Sequence, residues 1–100
     1  MAEKTRIRID KDLAEIVPGY LENRRKDLVT IETALSAGDY ATITTIGHRI
    51  RGTGSGYGFD WLSIVGATLE TAGKAADIAV IQKSLADIRD YLDRIEVFYE

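Results

Sequence analysis

Apolar residues along most of this chain recur at spacings of three and four, the period of a helix with one buried face rather than of a strand. The spacing is cleanest in Ile78, Ile81, Leu85, Ile88, Leu92, Ile95 and Tyr99, which predicts a final helix running through Tyr99. Leu62, Val65, Leu69 and Ala72 predict a helix from about Asp60 to Gly73. Further upstream, Val17, Leu21, Leu28, Ile31 and Leu35 follow a heptad-like seam broken at Arg24, in a helix to about Ala37 with Gly38 as its left-handed cap. Pro18 suits the first turn of that helix, where its missing N–H costs little. Asp39 is placed to cap the next helix, whose apolar side is Ile43, Ile46, Ile50 and Tyr57. Asp10 is expected to cap a short helix through Val17, and residues 1–9 are expected to be an arm, extended through Arg6-Ile7-Arg8-Ile9 and loosely held. The pattern thus predicts an all-α fold, an antiparallel up-and-down four-helix bundle with a short N-terminal helix, occupying residues 10–100.

Composition narrows what such a bundle can do. One hundred residues with 45% hydrophobic content bury a single modest core and leave no room for a separate catalytic lobe, so function is expected at a surface. A net charge of -3 argues against nucleic acid as a partner, and the run Asn23-Arg24-Arg25-Lys26 would spread around a helix rather than form a patch. The absence of cysteine excludes disulfides, zinc-thiolate sites and a thiol nucleophile. Neither a signal-like N-terminus nor a membrane-spanning apolar run is visible, so a cytoplasmic protein without a membrane partner is expected. All four seams can be used internally, which makes a monomer the simplest assembly, with Trp61, Phe98 and Tyr99 as a possible exposed patch.

The second long helix departs from this plain picture. It carries Gly47, Gly52, Gly54 and Gly56, each costing up to about 1 kcal/mol relative to alanine inside a helix. One reading ends the helix near Arg51 and leaves the glycines as a flexible loop. A Walker loop is excluded because Gly58 is followed by Phe59 and Asp60 rather than Lys and Ser or Thr, and no strand signal precedes the glycines as a dinucleotide fingerprint requires. On a helical wheel of about 100° per residue, the chain's one histidine, His48, lies nearly opposite the apolar seam. Ala41, Thr44, Thr45, Gly52, Ser55 and Gly56 surround it, with Arg51 at the edge. A lone histidine is commonly an inert surface residue. Here small neighbours would let a bulky partner approach, Arg51 offers a fixed charge for phosphate oxygens, and a neutral imidazole is a competent nucleophile.

The stretch HRIRGTGSGYGF, continued through DWLSIVGATLE, resembles the signature of histidine-containing phosphotransfer domains, roughly H-x-x-[KR]-G-x-x-x-x-x-G-[FA]-x-x-L. His48, Arg51, Gly52, Gly58, Phe59 and Leu62 fall in register, and Leu69-Glu70 matches the pair that commonly closes the motif. Ile50 to Phe59 is especially similar to the phosphoacceptor domain of chemotaxis histidine kinases. The motif covers about a quarter of the chain and the four-helix parse extends the likeness from Asp10 to Phe98.

The resemblance implies a phosphocarrier rather than an enzyme, with His48 phosphorylated on Nε2 in a two-component phosphorelay. It implies that Arg51, where lysine is more common, holds the phosphoryl group, that Gly52 and in addition Gly56 leave room for docking, and that Glu70 orients the imidazole through Nδ1. Because the wheel turns His48 away from the core, an ordinary solvated glutamate remains the other reading of Glu70. The implied partners are a histidine kinase and a response-regulator receiver domain, which brings its own aspartate and Mg²⁺, so no cofactor and no resident metal are expected in this chain. Leu13 and Ile16 are candidate rim residues for docking. The rival function is an unphosphorylated adaptor of the same fold that binds receivers or other partners, and a His-dependent hydrolase is a third reading that lacks an evident oxyanion site.

Overall fold

A computed structural model describes residues 4–100 and is mostly helical, with four long helices packed around one core. Helix α1 spans Val17–Ser36, α2 Tyr40–Thr53, α3 Asp60–Ala75 and α4 Ile78–Arg94. Their boundaries follow local chemistry. Asp39 accepts a hydrogen bond from Thr42 N at 3.1 Å and Asp77 one from Val80 N at 3.2 Å, so α2 and α4 each begin on a carboxylate that satisfies an orphan amide. Gly38 ends the α1 region with φ of 69°, a left-handed value that suits glycine. The same device at the end of α3 falls on Ala76, with φ of 50°.

The short helix expected from Asp10 to Val17 is instead one 3-10 turn, Lys11–Leu13. Asp10 does cap it, accepting from Asp12 N at 2.8 Å, but no second capping residue carries the turn onward, and α1 starts without a side-chain cap at Ile16. Within α1 the buried positions are Val17, Tyr20, Leu28, Ile31 and Ala34, while Leu21 and Leu35 lie half-buried at the margin. At about 100° per residue, Tyr20 and Ala34 lie on one side of the Val17–Leu28 line, so the buried stripe is turned toward them and away from Leu21.

The largest departure joins the two ends of the chain. Thr5–Ile9 forms strand β1 and Ile95–Tyr99 forms strand β2, paired in parallel with Ile7 beside Val97 and Ile9 beside Tyr99. The described part of the expected arm is therefore a strand with Ile9 buried in the core, and residues 1–3 lie outside the described residues. The final helix stops at Arg94 because Ile-Glu-Val-Phe-Tyr is rich in β-branched and aromatic residues and finds a partner strand. Trp61 does not share a patch with Phe98. Trp61 stacks on Tyr91 with ring centres 4.4 Å apart, whereas Phe98 carries the Arg6 guanidinium on its face at 4.5 Å.

Glycines decide how α2 meets α3. A methyl group at Gly47 would fall 2.6 Å from Glu70 N, and one at Gly66 would fall 2.5 Å from Arg51 N. The two backbones touch there, with no side chain between them. Gly54 against Ser63 and Gly73 against Thr44 extend the contact in both directions. Of these, Gly47 and Gly54 read in the sequence as a helix penalty; in the folded chain all four are the condition for close approach.

Candidate functional site

His48 stands on the middle of α2 and Glu70 on α3, directly across the glycine contact. The loop between the helices holds this register: after α2 the chain makes a 3-10 turn at Ser55–Tyr57, reverses at Gly58 with φ of 92°, and buries Phe59 to 1% exposure. Tyr57 stacks on Tyr20 of α1 at 4.1 Å, and Ser55 N donates to Ser63 Oγ at 2.8 Å. The GTGSGYG stretch is thus an ordered turn, and α2 continues past Arg51 to Thr53.

Close helix packing brings Glu70 to the imidazole that the wheel had turned away. His48 Nδ1 lies 3.0 Å from Glu70 Oε2, and Arg51 Nε lies 3.1 Å from Glu70 Oε1. The side chain of Glu70 is only 11% exposed while those of His48 and Arg51 are 60% and 49% exposed, so the anion sits beneath two outward-facing groups. Burial by itself raises the carboxyl pKa, but the His48 hydrogen bond and the charges of Arg51, His48 and Lys74 outweigh it and hold Glu70 below its ordinary value. It is therefore a carboxylate at neutral pH.

That charge fixes the ring's protonation pattern. A carboxylate only accepts hydrogen bonds, so Nδ1 must carry the proton that bridges the 3.0 Å gap; a bare Nδ1 would set two lone pairs against each other. Arg51 Nη2 also lies 3.1 Å from Nδ1, but that nitrogen cannot accept from Arg51 while donating to Glu70. The donation to Glu70 prevails because it joins a donor to a charged acceptor, and Arg51 already has Oε1. In the neutral ring Nε2 is then left unprotonated and turned to the surface.

The surroundings of the ring are quiet. The hydroxyls of Thr44, Thr45 and Thr53 donate back to the carbonyls of Tyr40, Ala41 and Arg49 within α2 and do not compete for the imidazole. A methyl group at Gly52 or Gly56 would meet nothing within 4 Å, so both glycines border open space. Leu13 is half-buried against the core, and Ile16 is 50% exposed one turn before Tyr20, whose hydroxyl lies 3.2 Å from Thr53 Oγ1 near the end of α2. Sequence reasoning missed Lys74, whose Nζ lies 3.8 Å from Glu70 Oε2. Its signal was the i,i+4 spacing from Glu70.

Among the described residues no cluster of three or more His, Cys, Asp or Glu could hold a metal ion, and no helix is long and apolar enough to cross a membrane. Compared with protein-family models, curated proteins and solved structures, the chain finds no match in any of the three.

Proposed function

We propose that this chain is a histidine phosphotransfer module in which His48 Nε2 accepts a phosphoryl group from a histidine kinase and donates it to a receiver-domain aspartate. The observation that carries the reading is the contact of Nδ1 with a buried carboxylate, which leaves Nε2 as the exposed, unprotonated nitrogen. In the accepting step the Nε2 lone pair attacks phosphorus in line as the bond to the leaving oxygen of the nucleotide breaks, and the positive charge appearing on the ring is shared with Glu70 through Nδ1–H. Arg51, beside the ring, supplies positive charge for the phosphoryl oxygens. Donation runs the same path in reverse, with the receiver's aspartate as acceptor and the receiver's Mg²⁺ offsetting charge. The chain itself acts as carrier, not as enzyme, and the open space at Gly52 and Gly56 suits docking of a partner domain.

The bundle belongs to the same reading as an antiparallel up-and-down arrangement, monomeric and cytoplasmic. Its support is the order of contacts: moving up α2 from Gly47 to Arg51 to Gly54, the partners on α3 step down from Glu70 to Gly66 to Ser63. Between α1 and α4, Arg25 meets Asp93 and Arg89 meets Glu32 in the same reversed sense.

The test is incubation of the purified chain with phosphoramidate, which transfers phosphoryl as its P–N bond breaks and ammonia leaves. Intact mass and ³¹P NMR are expected to show one acid-labile, alkali-stable phosphoryl group on wild type and none on His48→Gln. A folded wild type that stays unmodified yet binds receiver domains would instead identify an adaptor.

A further inference from the structure

Lys74 has no assigned part in the carrier chemistry, yet its position gives it one. Following the α2–α3 contact, Gly73 packs on Thr44, Glu70 on Gly47, and Gly66 on Arg51. His48 therefore lies between two cations: Arg51 one turn later on α2, and Lys74 on α3 beside the turn of α2 that precedes His48. Both reach the same buried carboxylate, Arg51 through Oε1 at 3.1 Å and Lys74 toward Oε2 at 3.8 Å. Oε2 is also the oxygen bound by His48 Nδ1, so the ammonium and the ring share one carboxylate oxygen.

An i,i+4 glutamate–lysine pair is ordinarily a surface ornament of little energy. Two features separate this one. Glu70 already has a donor on each oxygen, from His48 and Arg51, so its charge is met without Lys74. The lysine side chain is 68% exposed and 3.8 Å is beyond a hydrogen bond, so the ammonium is held by charge alone and its four-carbon stem leaves it free to swing.

A phosphoryl group on His48 would bring a charge of about -1.5 to -2 with several strong acceptor oxygens to the rim of this cluster. We infer that Lys74 is a second phosphoryl-holding cation, exchanging Glu70 for the phosphate oxygens when His48 is loaded and clasping the group from the side opposite Arg51. The inference rests on the phosphocarrier reading of His48. It assigns to α3, as well as to α2, a direct contact with the cargo.

Wild type, Lys74→Gln, Lys74→Arg and Arg49→Gln are to be loaded with phosphoramidate and followed by intact mass and by ³¹P NMR as a function of pH. Arg49 lies on α2, is exposed and adjacent to His48 in sequence, and has no side-chain contact with Glu70, so its variant is a control that removes the same net charge without touching the carboxylate. Lys74→Gln is expected to load about two- to fivefold more slowly, the range set by one exposed ion pair. Its phosphoryl resonance is expected to titrate at higher pH, because the doubly charged form loses a cation. Lys74→Arg is expected to restore both, and Arg49→Gln to move neither. Far-UV circular dichroism of each variant excludes unfolding as the cause. If Lys74→Gln loads and titrates like wild type, or no differently from Arg49→Gln, the second cation is refuted while His48 still carries phosphate. If wild type takes up no phosphate, the carrier reading falls and this inference with it.

Discussion

At the scale of single residues the site turns on one buried charge. Glu70→Gln keeps the size of the side chain and an oxygen to accept from Nδ1, but exchanges a charged acceptor for a neutral one. Loading of His48 by phosphoramidate is expected to slow about fivefold, the difference between a charge-assisted and a neutral hydrogen bond. ¹⁵N NMR of the ring is expected to show the Nδ1–H form losing population to the Nε2–H form; an unchanged tautomer ratio would refute the role given to Glu70. The acid dependence has a definite sign. Because the folded pKa of Glu70 lies below its ordinary 4.5, its contribution to stability is complete above that value and disappears as pH falls through the lower folded one. The Glu70 carboxyl should therefore titrate below 4.5 by ¹³C NMR, and the melting curves of wild type and Glu70→Gln should converge at still lower pH. Of this site, His48, Arg51 and Gly52 were legible from the motif, and Glu70 from the resemblance alone. The wheel could not place Glu70, because it describes one helix and says nothing of how near the next one comes.

At the scale of elements, that nearness depends on glycine. Alanine at Gly66 would place its methyl 2.5 Å from Arg51 N and 3.0 Å from Gly47 O, both backbone atoms that cannot turn aside. The expected cost is about 1–3 kcal/mol, as for other overpacked sites, read from urea denaturation. Gly52 has the same residue type but open surroundings. Alanine there should stabilise α2 by about 0.5–1 kcal/mol while slowing phosphoryl delivery to a receiver, since on the proposed function the methyl would project toward the docking partner. If both alanines cost equal stability, the distinction between packing glycines and clearance glycines is wrong. Ala76 offers a third measurement: it holds a left-handed φ of 50° that its Cβ disfavours, so Ala76→Gly is expected to raise stability by about 1 kcal/mol in the same denaturation experiment. The helices themselves were legible because their seams repeat. The strands were not: Ile95 and Tyr99 fall three and seven residues after Leu92 and so extend a helical count, and an isolated Arg6-Ile7-Arg8-Ile9 does not disclose that its partner lies at the far end of the sequence.

At the scale of the whole molecule, the parallel β1–β2 pair ties the two ends of the chain to the base of the bundle. Glu100 N donates to Ile9 O and Lys11 N to Glu100 O, both at 3.0 Å, continuing the ladder past the strands. The ribbon lies over Tyr91 of α4 and Trp61 of α3, which line a crevice with Thr5, Ile7 and Arg94. Tyr91 is left 6% exposed, and burial, with smaller contributions from Tyr20 and Asp60, pushes its phenol up to about 12 from 10.0. A raised pKa of this kind means that the folded chain keeps the proton longer than the unfolded one. Stability from this group is then complete below pH 10 and is lost as pH climbs toward 12. Tyr91→Phe keeps the ring and its stack on Trp61 but has no phenol to ionise. Its melting temperature should match wild type closely at pH 8 and fall less steeply between pH 10 and 12, while absorbance at alkaline pH should show wild type with one late-titrating tyrosine that the variant lacks. A variant whose melting temperature falls in parallel with wild type would mean that Tyr91 ionises as readily in the folded chain as in the unfolded one, and that the ribbon does not seal this end of the bundle from solvent.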